Sequence, residues 1–125
     1  MGVVRLQFRA AATHVRTARL VAVTVARRAG LDEDSVEGVR QAVGEACAIA
    51  VRHLGPTDQI TLTLDDAPTA VPPAGAPRLV ASVRPAAADV GTDDRMLFAV
   101  LTGMTDTLDL EQDGDGSVLR LAWMG

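Results

Sequence analysis

The chain has 125 residues, 48% hydrophobic and 22% charged, with a formal net charge of −4; this balance predicts one globular domain over residues 1–125 and is too apolar for a disordered chain. All 12 basic residues are Arg and aromatic residues make up only 2%, so the clustered cations and stacking faces that nucleic-acid binding requires are missing. A single cysteine, Cys47, rules out an internal disulfide, no signal peptide precedes the first strand-like segment, and the longest apolar run, residues 20–26, falls far short of the roughly 20 residues of a membrane span. A cytoplasmic protein that does not cross a membrane is the expectation.

From Val4 to Ala10 apolar and polar residues alternate, the period of a strand with one buried face. Thr13 is positioned to cap a first helix over about 13–29, in which Val15, Ala18, Val21, Ala22, Val25 and Ala29 recur at helical spacing before Gly30 stops it. Asp32, Glu33 and Asp34 place negative charge where a helix N-terminus favours it. The apolar stripe Val36, Val39, Val43, Ala46, Cys47, Ala50 and Leu54 then predicts a second helix ending at Gly55-Pro56.

Residues 59–64 alternate again and predict a second strand, and residues 78–83 read as a third, separated by a Pro- and Ala-rich connection over 67–77. Helical spacing returns over 93–104 through Met96, Leu97, Val100, Leu101 and Met104, with Thr92 or Asp93 as its cap. Residues 107–111 and 118–123 alternate around Asp113-Gly114-Asp115-Gly116, a hairpin-turn signal rather than an ion site. The order strand, helix, helix, strand, strand, helix, strand, strand predicts an α+β, two-layer α/β sandwich, with the helices on one face of a mixed, mostly antiparallel sheet. The other face is left to solvent or to a second copy.

The segment Val43-Gly44-Glu45-Ala46-Cys47-Ala48-Ile49-Ala50-Val51-Arg52-His53 resembles the N-box of the anti-sigma-factor serine kinases, which belong to the gyrase, Hsp90 and histidine-kinase superfamily with its Bergerat ATP-binding fold. Glu45, Ala46, Ala50 and His53 stand where the family phrase places them, and Ile49 stands where it has a magnesium-ligating Asn. The resemblance covers nearly the whole chain in element order. It fails at two glycine boxes: Val83-Arg84-Pro85-Ala86-Ala87-Ala88-Asp89 replaces the adenine-binding Asp-x-Gly-x-Gly phrase, and Arg95-Met96-Leu97-Phe98 replaces the phosphate-holding Gly-x-Gly-Leu phrase.

The resemblance therefore implies a degenerate nucleotide site made of Glu45, Ile49, Arg52, Arg84 and Arg95, with Glu45 as a vestigial general base. An Ile side chain has no oxygen for Mg²⁺, and phosphoryl transfer depends on positioning and charge stabilisation. On this reading neither ATP nor Mg²⁺ is a cofactor and no metal is bound. What remains of the family's role is binding: sequestering a sigma factor, or binding an anti-anti-sigma factor of the STAS type, with homodimerisation through the sheet.

Arg16 and Arg19 lie on one side of the first helix, and Arg19 matches a family Arg that contacts both partners; the same pair equally suits a solvated charged face. Two other functions stay open, an active ATP-dependent serine kinase of the antagonist and a dimerising structural pseudo-domain. His53 is read as a cation near a helix C-terminus, His14 as a solvated first-turn residue and Cys47 as a small buried hydrophobe.

Overall fold

A computed structural model of the chain describes residues 2–54, 57–66, 77–85, 101–113 and 116–124. Five strands, β1 (Val3–Arg9), β2 (Gln59–Asp65), β3 (Leu79–Pro85), β4 (Thr107–Asp113) and β5 (Gly116–Trp123), form one sheet in the order β1-β2-β3-β5-β4. All four pairings are antiparallel, so the expectation of a mixed sheet resolves to a uniform one among the described residues. Asp113 pairs with Gly116 at the tip of the β4–β5 hairpin, and Gly116 has φ +112°, a conformation that favours glycine there.

Helix α1 (Ala12–Arg28) begins one residue before the sequence predicts. Its N-cap is Ala11, which makes no side-chain cap bond, so Thr13 lies inside the first turn instead of capping it. Extended backbone at Ala11 starts the helix directly after β1, leaving no residue between Ala11 and the first turn for Thr13 to cap from. The C-terminus is closed by glycine: Gly30 has φ +84°, its N–H donates to the Arg27 carbonyl, and the Leu31 N–H donates to the Ala26 carbonyl. That pair of bonds is a Schellman closure, and the following Leu31 is buried.

Helix α2 (Glu33–His53) starts at Asp32, whose carboxylate accepts from the Ser35 N–H at 2.8 Å. This bond satisfies one of the helix's open N–H groups and holds the Asp32 carboxyl below its ordinary range, with the Ser35 side chain adding to the effect. Residues 101–104 are helical, with Leu101 fully buried; the rest of the predicted third helix, the Gly55-Pro56 stop and the 67–76 connection lie outside the described residues.

The two helices pack on each other and on one face of the sheet, α1 over β1 and β2, α2 over β3 and β5. The core is aliphatic. Ile60, Leu62 and Leu64 of β2, Leu79, Ala81 and Val83 of β3, and Leu119, Leu121 and Trp123 of β5 point into it from alternate strand positions. Trp123 also donates from Nε1 to the Met104 carbonyl at 2.9 Å, joining the last strand to the end of the helical segment beside Gly38 of α2.

The sequence reads α2 as having one apolar stripe, and the structure corrects this. Val36, Val39, Ala42, Val43, Ala46, Cys47, Ile49 and Ala50 are all buried, because α2 is covered by α1 on one flank and by the sheet below. The exposed residues of α2, among those described, are Glu33, Asp34, Glu37, Arg40, Gln41 and Arg52. The sheet's other face is polar, a shallow concavity lined by Arg5, Gln7, Thr61, Thr63, Ser82, Arg84, Val118 and Arg120.

Candidate functional site

Of the residues assigned to the degenerate nucleotide site, the described ones, Glu45, Ile49, Arg52 and Arg84, occupy different places in the fold. Ile49 is 1% exposed and turns down onto the sheet, where Ala46, Ala50, Val83, Pro85, Leu110, Ser117 and Leu119 surround it. They leave a space of about 10 Å³, about one water molecule's worth of room. Glu45 is half-buried one turn earlier on α2.

Arg84 is on the opposite side of the sheet: Val83 and Pro85 point toward the helices, so strand alternation turns Arg84 toward Arg5 and Arg120. Arg52 is exposed on the flank of α2 that faces α1. Arg95 and the two replaced glycine phrases lie almost wholly outside the described residues.

A magnesium nucleotide needs oxygen ligands for the metal and room for its phosphates. Ile49 supplies no oxygen, its lining is aliphatic apart from Ser117, and the space beside it holds no phosphate group. The described residues at this place do not fit the Mg²⁺–nucleotide that the fold would otherwise imply. No group of three or more His, Cys, Asp or Glu that could hold a metal ion occurs among the described residues.

A second place gathers charged side chains. Between α1 and α2 runs an open groove of about 390 Å³ lined by Ala12, Val15, Arg16, Arg19, Ala48, Val51 and Arg52. Its floor is apolar and three guanidinium groups stand on its rim. Arg19 lies across α2 at Gly44, where a Cβ would collide with the guanidinium, so the glycine is what lets this arginine cross the helix pair. Beneath it Cys47 is fully buried; burial pushes its thiol up to about 12, with the nearby Arg19 charge acting in the opposite direction.

Leu20, one turn beyond Arg16 on α1, is 65% exposed. An aliphatic side chain so exposed beside a row of arginines has the composition of an interaction surface, where Arg is enriched. The sequence reading missed Leu20 because it falls inside the apolar run 20–26, and its helical phase relative to Val15, Ala18, Ala22 and Val25 was the signal that it points away from them. Arg16 and Arg19, singled out together, do line one groove, and Arg52, assigned to the nucleotide site, joins them.

Residues 8–123 match the family of histidine kinase-like ATPase domains. The chain belongs to that family. Among solved structures it is similar to the crystal structure of the RsbU and RsbW domains of Rv1364c from Mycobacterium tuberculosis, with a TM-score of 0.68 and 14% sequence identity over 98% of this chain. It spans 32% of that longer chain. At this identity the likeness extends to the fold. No curated protein matches the chain in sequence. The described helices include none long and apolar enough to cross a membrane.

Proposed function

We propose that this domain is a regulatory binding module that sequesters a sigma factor, binds an anti-anti-sigma factor of the STAS type, or does both in competition, without binding ATP and without kinase activity. The observation that carries this reading is Ile49, a buried aliphatic side chain at the position where family members place a metal ligand, with about 10 Å³ of space beside it. Membership of the ATPase family and the likeness to a structure containing an RsbW domain support a regulatory role of this kind.

The partner surface is the α1–α2 groove. An apolar floor of Val15, Ala48 and Val51 accepts the apolar side of a partner helix, while Arg16, Arg19 and Arg52 meet carboxylates along its flank. Leu20 extends the contact beyond the groove.

The experiment is a binding assay of the purified chain against the sigma factors and STAS-domain proteins of its own organism, with Arg19→Ala and Arg16→Ala beside the parent. Binding in the absence of nucleotide, weakened about tenfold or more by Arg19→Ala, is the expected result, within the range that loss of an interface arginine produces. Binding that requires ATP, or phosphorylation of a serine on the STAS protein, would instead support the active-kinase reading. No binding to any of them, with stable self-association, would support the structural pseudo-domain.

A further inference from the structure

Strand β1 is an edge of the sheet: β2 lies on one side and, among the described residues, no strand lies on the other. The Ala10 N–H donates to the Asp58 carbonyl at 2.9 Å, and the Asp66 N–H donates to the Gly2 carbonyl at 3.2 Å. In this register bonding alternates along the ladder, so the even-numbered residues of β1 bond to β2. The N–H groups of Val3, Arg5, Gln7 and Arg9 therefore point away from the sheet, where a further strand would meet them.

The side chains of this edge have a pattern of their own. Arg5 and Arg9 are exposed on the polar side, with Gln7 between them. Neither arginine makes a side-chain hydrogen bond or ion pair among the described residues, whereas Arg27, Arg28, Arg40 and Arg120 each hold a carboxylate. On the helical side Val4 and Leu6 are only half-buried, and an open space of about 470 Å³ lies beside Leu6, Phe8, His14 and Thr17.

We propose that this edge takes an extended acidic segment of a partner protein, which joins the sheet as a sixth strand. Its backbone bonds to the outward groups of β1, a recurrent mode of peptide recognition. All four pairings within the sheet are antiparallel, and this arrangement is slightly the more stable per residue, which sets the direction of the new strand. The segment places carboxylates opposite Arg9 and Arg5, with a polar residue between them opposite Gln7. Its alternate side chains are aliphatic and fall opposite Phe8, Leu6 and Val4, in the space beside α1.

Opposite charges directly across a strand pair are favourable and like charges are not. The net charge of −4 is spread over the whole chain and is largely screened beyond about 8 Å at physiological salt, so the two arginines decide the local preference. A second copy of this chain fits the edge less well. Its β1 carries no carboxylate to meet Arg5 or Arg9. Its β4 carries Asp109 and Glu111, but that contact is head-to-tail and would extend into open chains. The edge shares no residue with the α1–α2 groove, so this inference stands independently of the function proposed above.

The probe is the labelled, end-capped heptapeptide Glu-Val-Thr-Ile-Glu-Val-Thr, titrated with the full chain by fluorescence polarisation. In the antiparallel register its first Glu meets Arg9 and its second meets Arg5. Saturable binding is the expected result, weakened about fivefold when both Glu are replaced by Gln, as the loss of two cross-strand charge pairs implies. Hydrogen exchange should slow most at the outward amides of Arg5 and Gln7.

Arg5→Glu, at an exposed position, should weaken binding of this peptide about tenfold. Lys in place of the second Glu of the peptide should restore it, and Lys in place of the first should not. No binding, slowed exchange confined to α1 and α2, or equal restoration by the two Lys peptides would overturn the proposal. Outward amides already protected in the peptide-free chain, with mass by light scattering rising with concentration, would assign the edge to another copy and overturn it too.

Discussion

The guanidinium of Arg19 on α1 lies over Gly44 of α2, in the space that a side chain at position 44 would occupy. The neighbouring atoms belong to the far end of a flexible side chain, so a methyl group can displace them without moving either helix.

Gly44→Ala should therefore separate binding from stability. Alanine replaces glycine inside a helix, a gain of up to about 1 kcal/mol, so the denaturation midpoint should hold or rise. Arg19 should be pushed off the helix pair, and affinity for the sigma-factor or STAS partner should fall toward that of Arg19→Ala. Urea denaturation and partner titration on the same preparation check both halves.

Ile49→Asn places here the residue of the phrase that residues 43–53 resemble, without the surroundings of that phrase. The amide would sit among Ala46, Ala50, Val83, Leu110 and Leu119, losing aliphatic packing and leaving polar atoms poorly satisfied, a combined cost of about 3 kcal/mol. A lowered urea midpoint with no gain in ATP affinity is the expected outcome. Unchanged stability would show that this side chain has more room than the structure gives it.

Cys47 should be inert in the native state. With its thiol buried and raised to about 12, reaction with Ellman's reagent at pH 8 should wait for unfolding and be slower than in denaturant by about 5000-fold, the open fraction that a stability of about 5 kcal/mol allows. The linkage sign follows from the raised value. The folded state favours the protonated thiol, so its contribution is complete below the ordinary thiol value of 9.0 and is lost as pH rises from there toward about 12.

Asp32 gives the opposite dependence. Its native carboxyl is held below the ordinary value of 3.8, first by the Ser35 backbone N–H and then by the Ser35 side chain. The cap is therefore fully stabilising above that value and is lost as pH falls through and below it. Asp32→Ala should lower the urea midpoint at pH 7, and the gap between variant and parent should close progressively below pH 3.8. A gap that persists unchanged in acid would assign the loss to something other than the charged cap.

Much of the fold was legible because both periods are clean in this chain. Alternation over 59–64, 107–111 and 118–123 and the stripes of α1 and α2 placed these elements to within a few residues. Burial of α2 on two sides was harder to read. A single apolar stripe fits a helix with one neighbour, whereas small residues at 42, 44, 46, 48 and 50 let α1 and the sheet approach together.

The site was legible only in part. Ile49 could be singled out because its neighbours Glu45, Ala46 and Ala50 fit a known phrase and it does not, but the side of the sheet that Arg84 occupies follows from strand phase, fixed once Val83 is known to point inward. Arg52 illustrates the same difficulty on a helix. It is three residues past Ile49, but the α1 helix beside it places it in the groove with Arg16 and Arg19.

The central claim is that this ATPase-family domain works without nucleotide. Calorimetric titration of the purified chain with ATP and Mg²⁺, with ADP as a control, tests it most directly. The account predicts no binding heat and no thermal stabilisation by either nucleotide. Saturable binding in the micromolar range would contradict it, and would mean that residues other than those around Ile49 hold the nucleotide.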